Sequence, residues 1–380
     1  MELDPIPQVW ASDPHPVYRA IRERHRVHHV PERALWVLSH HADVLAALRD
    51  PETYSSARGI VPSGFVPEKP TLIVMDGAPH TLMRKAVQRA FTPRRIEALS
   101  ARIRAFARRL AEDLPDRECD AFEHFTDPLP LFVMAELLGV DPSERAMFKR
   151  CGDLIVYASE SDPHEMIAAQ RELTDYLSRV FAERRERPRD DLISVLLTSS
   201  PEGEALGEDE LLGLCFLLLV AGTETTTSAL GNALLLLDRD RDARRRLIAD
   251  PAQLASAVEE ILRFDPPVHG LSRVLTRDVE VAGETIAKGE RVHLLFAAAN
   301  RDPGVFSDPD RFDIARAPNH HLSFGLGVHF CLGASLARME LRVGLEEFLR
   351  RAPDYAVDPG GVERLRSDTN RGFARLPVSL

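Results

Sequence analysis

The sequence predicts a mainly α-helical chain with a small β-rich subdomain, and three observations carry that reading. Apolar residues recur at helical spacing over 79 to 112, 128 to 139, 143 to 187 and 209 to 237. Alternating, β-branched runs are confined to short segments. No repeat, low-complexity tract or flexible linker divides residues 1–380, so a single large domain is expected. In chain order, a short helix is expected from Pro16 to His25, a strand pair around Val27 to Ser39, and a helix from His41 to Arg49. Between Ser55 and Met75, Pro62, Gly64, Pro67 and Pro70 mark an irregular stretch. It carries Ile60, Val61, Phe65, Val66 and Ile73, more apolar side chains than a solvated loop needs, and is expected to cover a cavity. After the helical blocks, strands are expected near Val274 to Val281 and Glu284 to Leu295, around a turn at Gly283, and again near the C-terminus. Asn300 to Arg316 is rich in Asp and Pro and reads as irregular.

With 44% hydrophobic and 28% charged residues over 380 positions, the chain reads as a soluble globular protein able to bury a large core. A net charge of -11 argues against nucleic acid as a general partner, because phosphate binding needs a basic footprint. Met1-Glu2-Leu3-Asp4 is followed by no apolar signal region. The longest apolar run, Leu211 to Gly222, falls short of the ~18 residues of a membrane span. A cytoplasmic protein is expected, with no membrane partner. Cys119, Cys151, Cys215 and Cys331 have neither the spacing of a zinc site nor the density of a disulfide framework. Only Lys69, Lys85, Lys149 and Lys288 are lysines among the 48 basic residues, an arginine bias of GC-rich coding that hints at a bacterial source.

The most specific feature is Phe324-Gly325-Leu326-Gly327-Val328-His329-Phe330-Cys331-Leu332-Gly333. After Leu332, Ala334, Ala337, Leu341, Leu345 and Phe348 follow helical spacing, which puts Cys331 at a helix N-terminus. There the free N–H groups and helix dipole favour the thiolate, the form that binds metal. Gly325 and Gly327 permit a tight turn, and Gly333 lets a flat partner approach the backbone. Taken alone, Cys331 reads equally well as a small buried hydrophobe. The ten-residue string as a whole resembles the haem-binding loop of the cytochrome P450 family. That resemblance implies haem b with Cys331 as axial iron ligand, and a triangular helical body around it; such a thiolate pushes electron density toward iron and favours O–O cleavage.

Mid-helix, Ala221-Gly222-Thr223-Glu224-Thr225-Thr226-Thr227 breaks the apolar pattern with glycine, β-branched residues and a costly carboxylate. Ala221 and Gly222 leave room for a small ligand, unless Glu224 merely caps a break between two helices and the threonines bond back one turn. The set is similar to the family's acid–alcohol pair. By that resemblance Thr225 would steady dioxygen and Glu224 would feed protons to it through water. Glu260 and Arg263 stand one helical turn apart before Pro266-Pro267, as in the family's structural ion pair.

His80 and Arg84 share a helix face, Arg273 follows in extended sequence, and His329 precedes the cysteine by two. Each matches a family position that binds a haem propionate. His28-His29 and His320-His321 read as ordinary polar residues. Leu217, Val220 and Ala221, then Val268, His269, Gly270 and Leu271, and the loop from Ile60 to Ile73 resemble the family's pocket-lining segments, and helices between Ser143 and Arg187 its movable lid.

The implied activity is a monooxygenase that inserts one atom of dioxygen into a lipophilic small molecule by hydroxylation, epoxidation or dealkylation. With no flavin or nicotinamide fingerprint in the chain, electrons are expected from a small acidic ferredoxin and its reductase. The ferredoxin is expected on a basic face: nine cationic residues and one acid, Glu97, lie from Arg84 to Arg109, and Arg338 and Arg342 add a stripe. The alternatives are a peroxide-driven peroxygenase, for which Glu224-Thr225 would be superfluous, and a catalytically silent haem-thiolate binding protein. A fatty acid, terpenoid, steroid or macrolide would each suit the pocket.

Overall fold

The computed structural model describes residues 3–66, 70–89, 91–156, 162–198 and 206–380. Pro67 and Lys69 of the apolar loop, and 157–161 of the region expected to form a lid, lie outside them. The helices are α1 (His15–Arg24), α2 (His41–Arg49), α3 (Gly77–Gln88), α4 (Pro93–Glu112), α5 (Pro128–Leu138), α6 (Arg145–Val156), α7 (Pro163–Glu186), α8 (Leu192–Thr198), α9 (Glu208–Arg239), α10 (Arg241–Ala249), α11 (Leu254–Phe264), α12 (Phe296–Ala299) and α13 (Ala334–Arg351). Two blocks expected as continuous are divided at a proline. Pro93 and Pro163 each start a new helix, where a missing N–H costs nothing, and the Asp162 carboxylate accepts the free amides of His164 and Glu165.

The strands are β1 (Val27–Val30), β2 (Leu35–Leu38), β3 (Tyr54–Ser55), β4 (Glu118–Asp120), β5 (Leu271–Leu275), β6 (Val279–Val281), β7 (Glu284–Ile286), β8 (Arg291–Leu294), β9 (Ala356–Val357), β10 (Glu363–Arg364), β11 (Phe373–Arg375) and β12 (Pro377–Ser379). The largest sheet has the order β1-β2-β8-β5-β3, with β2 and β8 parallel and the other pairs antiparallel. In it Arg273 of β5 sits opposite Val292 of β8, so a rigid sheet fixes one candidate site residue. The Ala282–Gly283 turn between β6 and β7 takes positive φ at both residues, as a two-residue hairpin requires.

The long helix α9 runs through the core between α5 and α13, and α13 packs in turn on α4. By length and composition α9 could cross a bilayer, which the run-length reading of the sequence missed. From Thr226 to Leu237 it is buried against neighbouring helices, as a core helix is.

Glu260 and Arg263 are both fully buried at 0% exposure, joined by two 2.7 Å bonds. Arg263 also donates to the carbonyls of Asn300 and Pro309 at 2.9 Å, and of Arg311 at 3.2 Å. Glu260 accepts from Arg316 at 3.1 Å, from the Asp313 amide at 2.9 Å and from Asn319 at 3.1 Å. The expected pair is thus the hub of a network that pins the irregular 300 to 319 stretch leading into the cysteine loop. Arg316, its third member, was not legible in the sequence.

Candidate functional site

Phe324 to Gly333 folds as a tight loop closed by a bond of 2.9 Å from the Cys331 amide to the Phe324 carbonyl. Gly325 and Gly327 adopt φ of 65° and 71°, where an L side chain is strained. A Cβ on Gly327 would also fall 2.6 Å from the Leu48 carbonyl of α2. Beside the cysteine, a Cβ on Gly333 would meet nothing within 4 Å, so that face is open. The helix proper starts at Ala334, and Cys331 lies just ahead of its first turn. Burial pushes the Cys331 thiol up, against the opposing pull of the Gly333 amide, Arg84 and Arg338.

Around the loop stands a cluster of cations and imidazoles. Arg84 of α3 donates to the Phe330 carbonyl at 2.5 Å, and the His80 and His329 rings lie 4.4 Å apart. The Nε2 atoms of both histidines are buried without a hydrogen-bond partner among the described residues. Burial, with Arg273 and His80 nearby, pulls the His329 imidazole down to about 4. Burial likewise lowers Arg273 to about 10, with Asp76 opposing. The buried Arg273 guanidinium donates to the Ser272 carbonyl at 2.8 Å, and no carboxylate among the described residues lies within ion-pair distance of it. Asp76, missed in the sequence, accepts from Ser55, Ser56 and Ala57 and lies 3.6 Å from His329. The orphaned His80 nitrogen and a buried guanidinium with no ion-pair carboxylate among the described residues, beside an open glycine face and the Cys331 thiol, fit a flat, dianionic, metal-centred group, as haem is.

On α9 the helix is unbroken through Glu224, so no cap sits there. Ala221 is exposed and Glu224 and Thr225 half-buried, in a helix whose next two turns are buried, so this face is open. The Thr225 hydroxyl donates to the Ala221 carbonyl at 2.8 Å, which leaves its lone pairs free to accept. The Thr223 and Thr227 hydroxyls are buried without partners among the described residues. Burial raises the Glu224 carboxyl, with the Asn370 side chain opposing. Gly222 does not widen this open face: a Cβ there would meet Met134 Sδ of α5 at 2.5 Å, so its role is close helix packing.

Three other readings need correction. His269 is fully buried, 2.8 Å from the Tyr18 hydroxyl and 3.5 Å from Asp265, and lines no pocket. Arg338 is no free surface charge. It is bound to both oxygens of Glu259 at 2.6 and 2.8 Å and stacked over the Phe324 ring at 4.4 Å. Burial favours the neutral Glu259, but Arg338 and His321 outweigh it and hold that carboxyl down to about 2. On α4 the basic run is largely committed, with Arg95 on Asp190, Arg102 on Glu136, and Arg104 and Arg108 on Glu347.

Comparison with known proteins agrees with this geometry. Residues 133–379 match the family described as Cytochrome P450. A protein of Mycobacterium tuberculosis named putative cytochrome P450 123 is 38% identical over 100% of this chain and 96% of its own. The vitamin D(3) 25-hydroxylase of Pseudonocardia autotrophica is 39% identical over 97% of this chain and 94% of its own. The solved structure of CYP109E1 from Bacillus megaterium in complex with testosterone superimposes with a TM-score of 0.89 at 34% identity, covering 97% of this chain and 99% of that one. The chain belongs to the cytochrome P450 family and is a bacterial monooxygenase with haem b as its cofactor.

Proposed function

We propose that this enzyme oxidises a lipophilic, steroid-sized molecule in the cytoplasm, with electrons from a small acidic ferredoxin and its reductase. The observation that carries the proposal is the open patch of Ala221, Glu224 and Thr225 within the core helix α9: an apolar wall with one hydroxyl and one carboxyl. Haem, when bound, supplies the activation of dioxygen. Cys331 would hold its iron, with Phe324, Gly325 and Gly333 shaping the loop; Arg84 and Arg273 would neutralise its two propionates, and His80 and His329 would donate hydrogen bonds to them. On this open face Thr225 has lone pairs free to accept a hydrogen bond, while its own O–H donates to the Ala221 carbonyl. Glu224, raised by burial, is a carboxyl that holds a proton more readily than a solvated one. Steroid size is supported by two of the similar proteins, one named a vitamin D(3) hydroxylase and one solved with testosterone. A spectral titration of the holoenzyme with steroids, fatty acids, terpenoids and macrolides tests this. The spin-state change is expected at the lowest concentration for steroids; a steroid arm that stays flat while another responds moves the substrate class.

Thr225→Ala is expected to leave that titration unchanged while lowering product per reductant and raising peroxide. Glu224→Gln is expected to slow turnover on the order of 10²-fold, the scale of lost general acid–base help. An unchanged product-to-reductant ratio in Thr225→Ala removes that residue from the mechanism.

For the ferredoxin, the free charges next to the cysteine loop are Lys85 of α3 and Arg342 of α13, both exposed and, among the described residues, without an ion-pair partner. Arg342→Glu is expected to slow reduction by an acidic ferredoxin without altering the haem spectrum. The wild-type rate should fall with salt, because exposed charges are screened beyond ~10 Å at 0.1 M. Rates unaffected by salt and by charge reversal place docking elsewhere. Arg338→Glu is a poor test, since it would set a carboxylate against Glu259 beside Phe324.

A further inference from the structure

Two acids follow one another on α11 and serve different structures. Glu260 belongs to the buried network that pins 300 to 319, while Glu259 reaches to α13 and to the approach to the cysteine loop. Arg338 of α13 donates to both oxygens of Glu259 at 2.6 and 2.8 Å. His321 stands on the same carboxylate, with its Nε2 3.1 Å from one oxygen. Its Nδ1 accepts from the Ser323 amide at 3.2 Å, so the ring proton sits on Nε2 and is donated to Glu259. Ser323 is itself fixed, its hydroxyl donating to the Leu262 carbonyl at 2.7 Å and accepting from Asn300 at 2.8 Å. Three donors on one carboxylate leave the Arg338 guanidinium little freedom. Held there, it lies 4.4 Å from the centre of the Phe324 ring, and the Phe324 carbonyl accepts from the Cys331 amide at 2.9 Å.

We infer that the Glu259–Arg338 pair sets the reduction potential of the bound iron: Arg338 is a fixed positive charge beside the cysteine loop, and Glu259, oriented by His321, both positions and moderates it. The inference rests on the reading above that Cys331 holds the iron. Reduction of ferric to ferrous iron takes one electron from the ferredoxin and adds one negative charge at the centre, with no bond made or broken. A fixed cation nearby favours that step and a fixed anion opposes it. Arg84, which donates to the Phe330 carbonyl of the same loop, faces a propionate in that reading, whereas the counter-charge of Arg338 is supplied by the protein itself. Burial opposes ionisation of Glu259, but Arg338 and His321 hold its carboxyl down to about 2, so both partners keep their charges at neutral pH. Removing either member leaves a single charge of known sign.

The test is a potentiometric titration of the holoenzyme, with the carbonyl Soret band recorded on the same samples. In Arg338→Gln the Glu259 carboxylate loses its counter-charge, so the midpoint potential should shift to more negative values. Glu259→Gln keeps the shape, leaves Arg338 uncompensated, and should shift the midpoint to more positive values. The double variant should return toward wild type, and Arg338→Lys, which keeps the charge, should lie closer to wild type than Arg338→Gln. A merely structural brace would move both single variants the same way. Unmoved midpoints, or shifts of one sign, overturn the inference. Where Arg338→Gln takes up no haem, Glu259→Gln decides by the presence or absence of its positive shift. Cys331→Ala, run in parallel, separates the underlying reading. A red-shifted band that survives there overturns the iron assignment and the inference with it, while a band lost there beside unmoved midpoints overturns the inference alone.

Discussion

Replacing Cys331 with alanine is expected to abolish the red-shifted Soret band of the reduced carbonyl complex. The reason is that no other cysteine has the surroundings of a metal ligand. Burial raises all four thiols, Cys119 and Cys151 to about 11 and Cys215 to about 12, so the surroundings of each decide. Cys151 lies 3.7 Å from Glu172, which discourages a second negative charge. Cys331 alone combines a half-exposed residue with an open glycine neighbour, an amide hydrogen bond and two nearby guanidiniums. When iron binds, the coordinating thiol is deprotonated outright by the metal charge. Cys331→Ser should still take up haem through the cation and imidazole cluster while losing the same band. A band that survives in Cys331→Ala means that another residue binds iron, and the loop assignment falls.

The second large effect is on folding. Arg263→Ala removes bonds to Glu260 and to three backbone carbonyls at once and leaves a carboxylate buried at 0% exposure with only part of its partners. Breaking one side of a buried pair costs about 3–5 kcal/mol, a large share of a total stability of roughly 5–15 kcal/mol. The expected result is a sharp drop in the yield of folded, haem-loaded protein and in the denaturant midpoint. Arg263→Lys should rescue little, because one ammonium cannot reproduce the planar fork that reaches Glu260 and the carbonyls together. An unchanged midpoint in Arg263→Ala would show that the network does not hold the approach to the cysteine loop.

What was legible in the sequence is what local pattern encodes. The glycines of the cysteine loop, the α13 periodicity and the one-turn spacing of Glu260 and Arg263 each sit within a few residues of one another. What escaped reading comes from irregular segments that reach the site by tertiary packing. Arg316 and Asp76 have no periodicity, and their partners Glu260 and His329 lie far along the chain. Gly222 was assigned to a ligand when Met134 of another helix fills its space, a contact no single-helix argument contains. His269 was drawn to the pocket by its neighbours Val268 and Leu271, while its ring turns inward to Tyr18. The basic face looked continuous because sequence shows charges without their partners: Asp190, Glu136 and Glu347 neutralise much of α4. The breaks at Pro93 and Pro163 were hidden by apolar spacing that continues across them.

The most direct measurement is a turnover under isotopically labelled dioxygen. The purified holoenzyme, a surrogate ferredoxin with its reductase, and the steroid giving the strongest spin-state change are run under ¹⁸O₂ in ordinary water, with unlabelled peroxide and catalase in separate arms. A dioxygen-dependent monooxygenase should yield product carrying one ¹⁸O atom, undiminished by catalase and absent without the ferredoxin. Product that appears only with added peroxide and carries no label, or no product from any substrate that shifts the spectrum, would contradict the account.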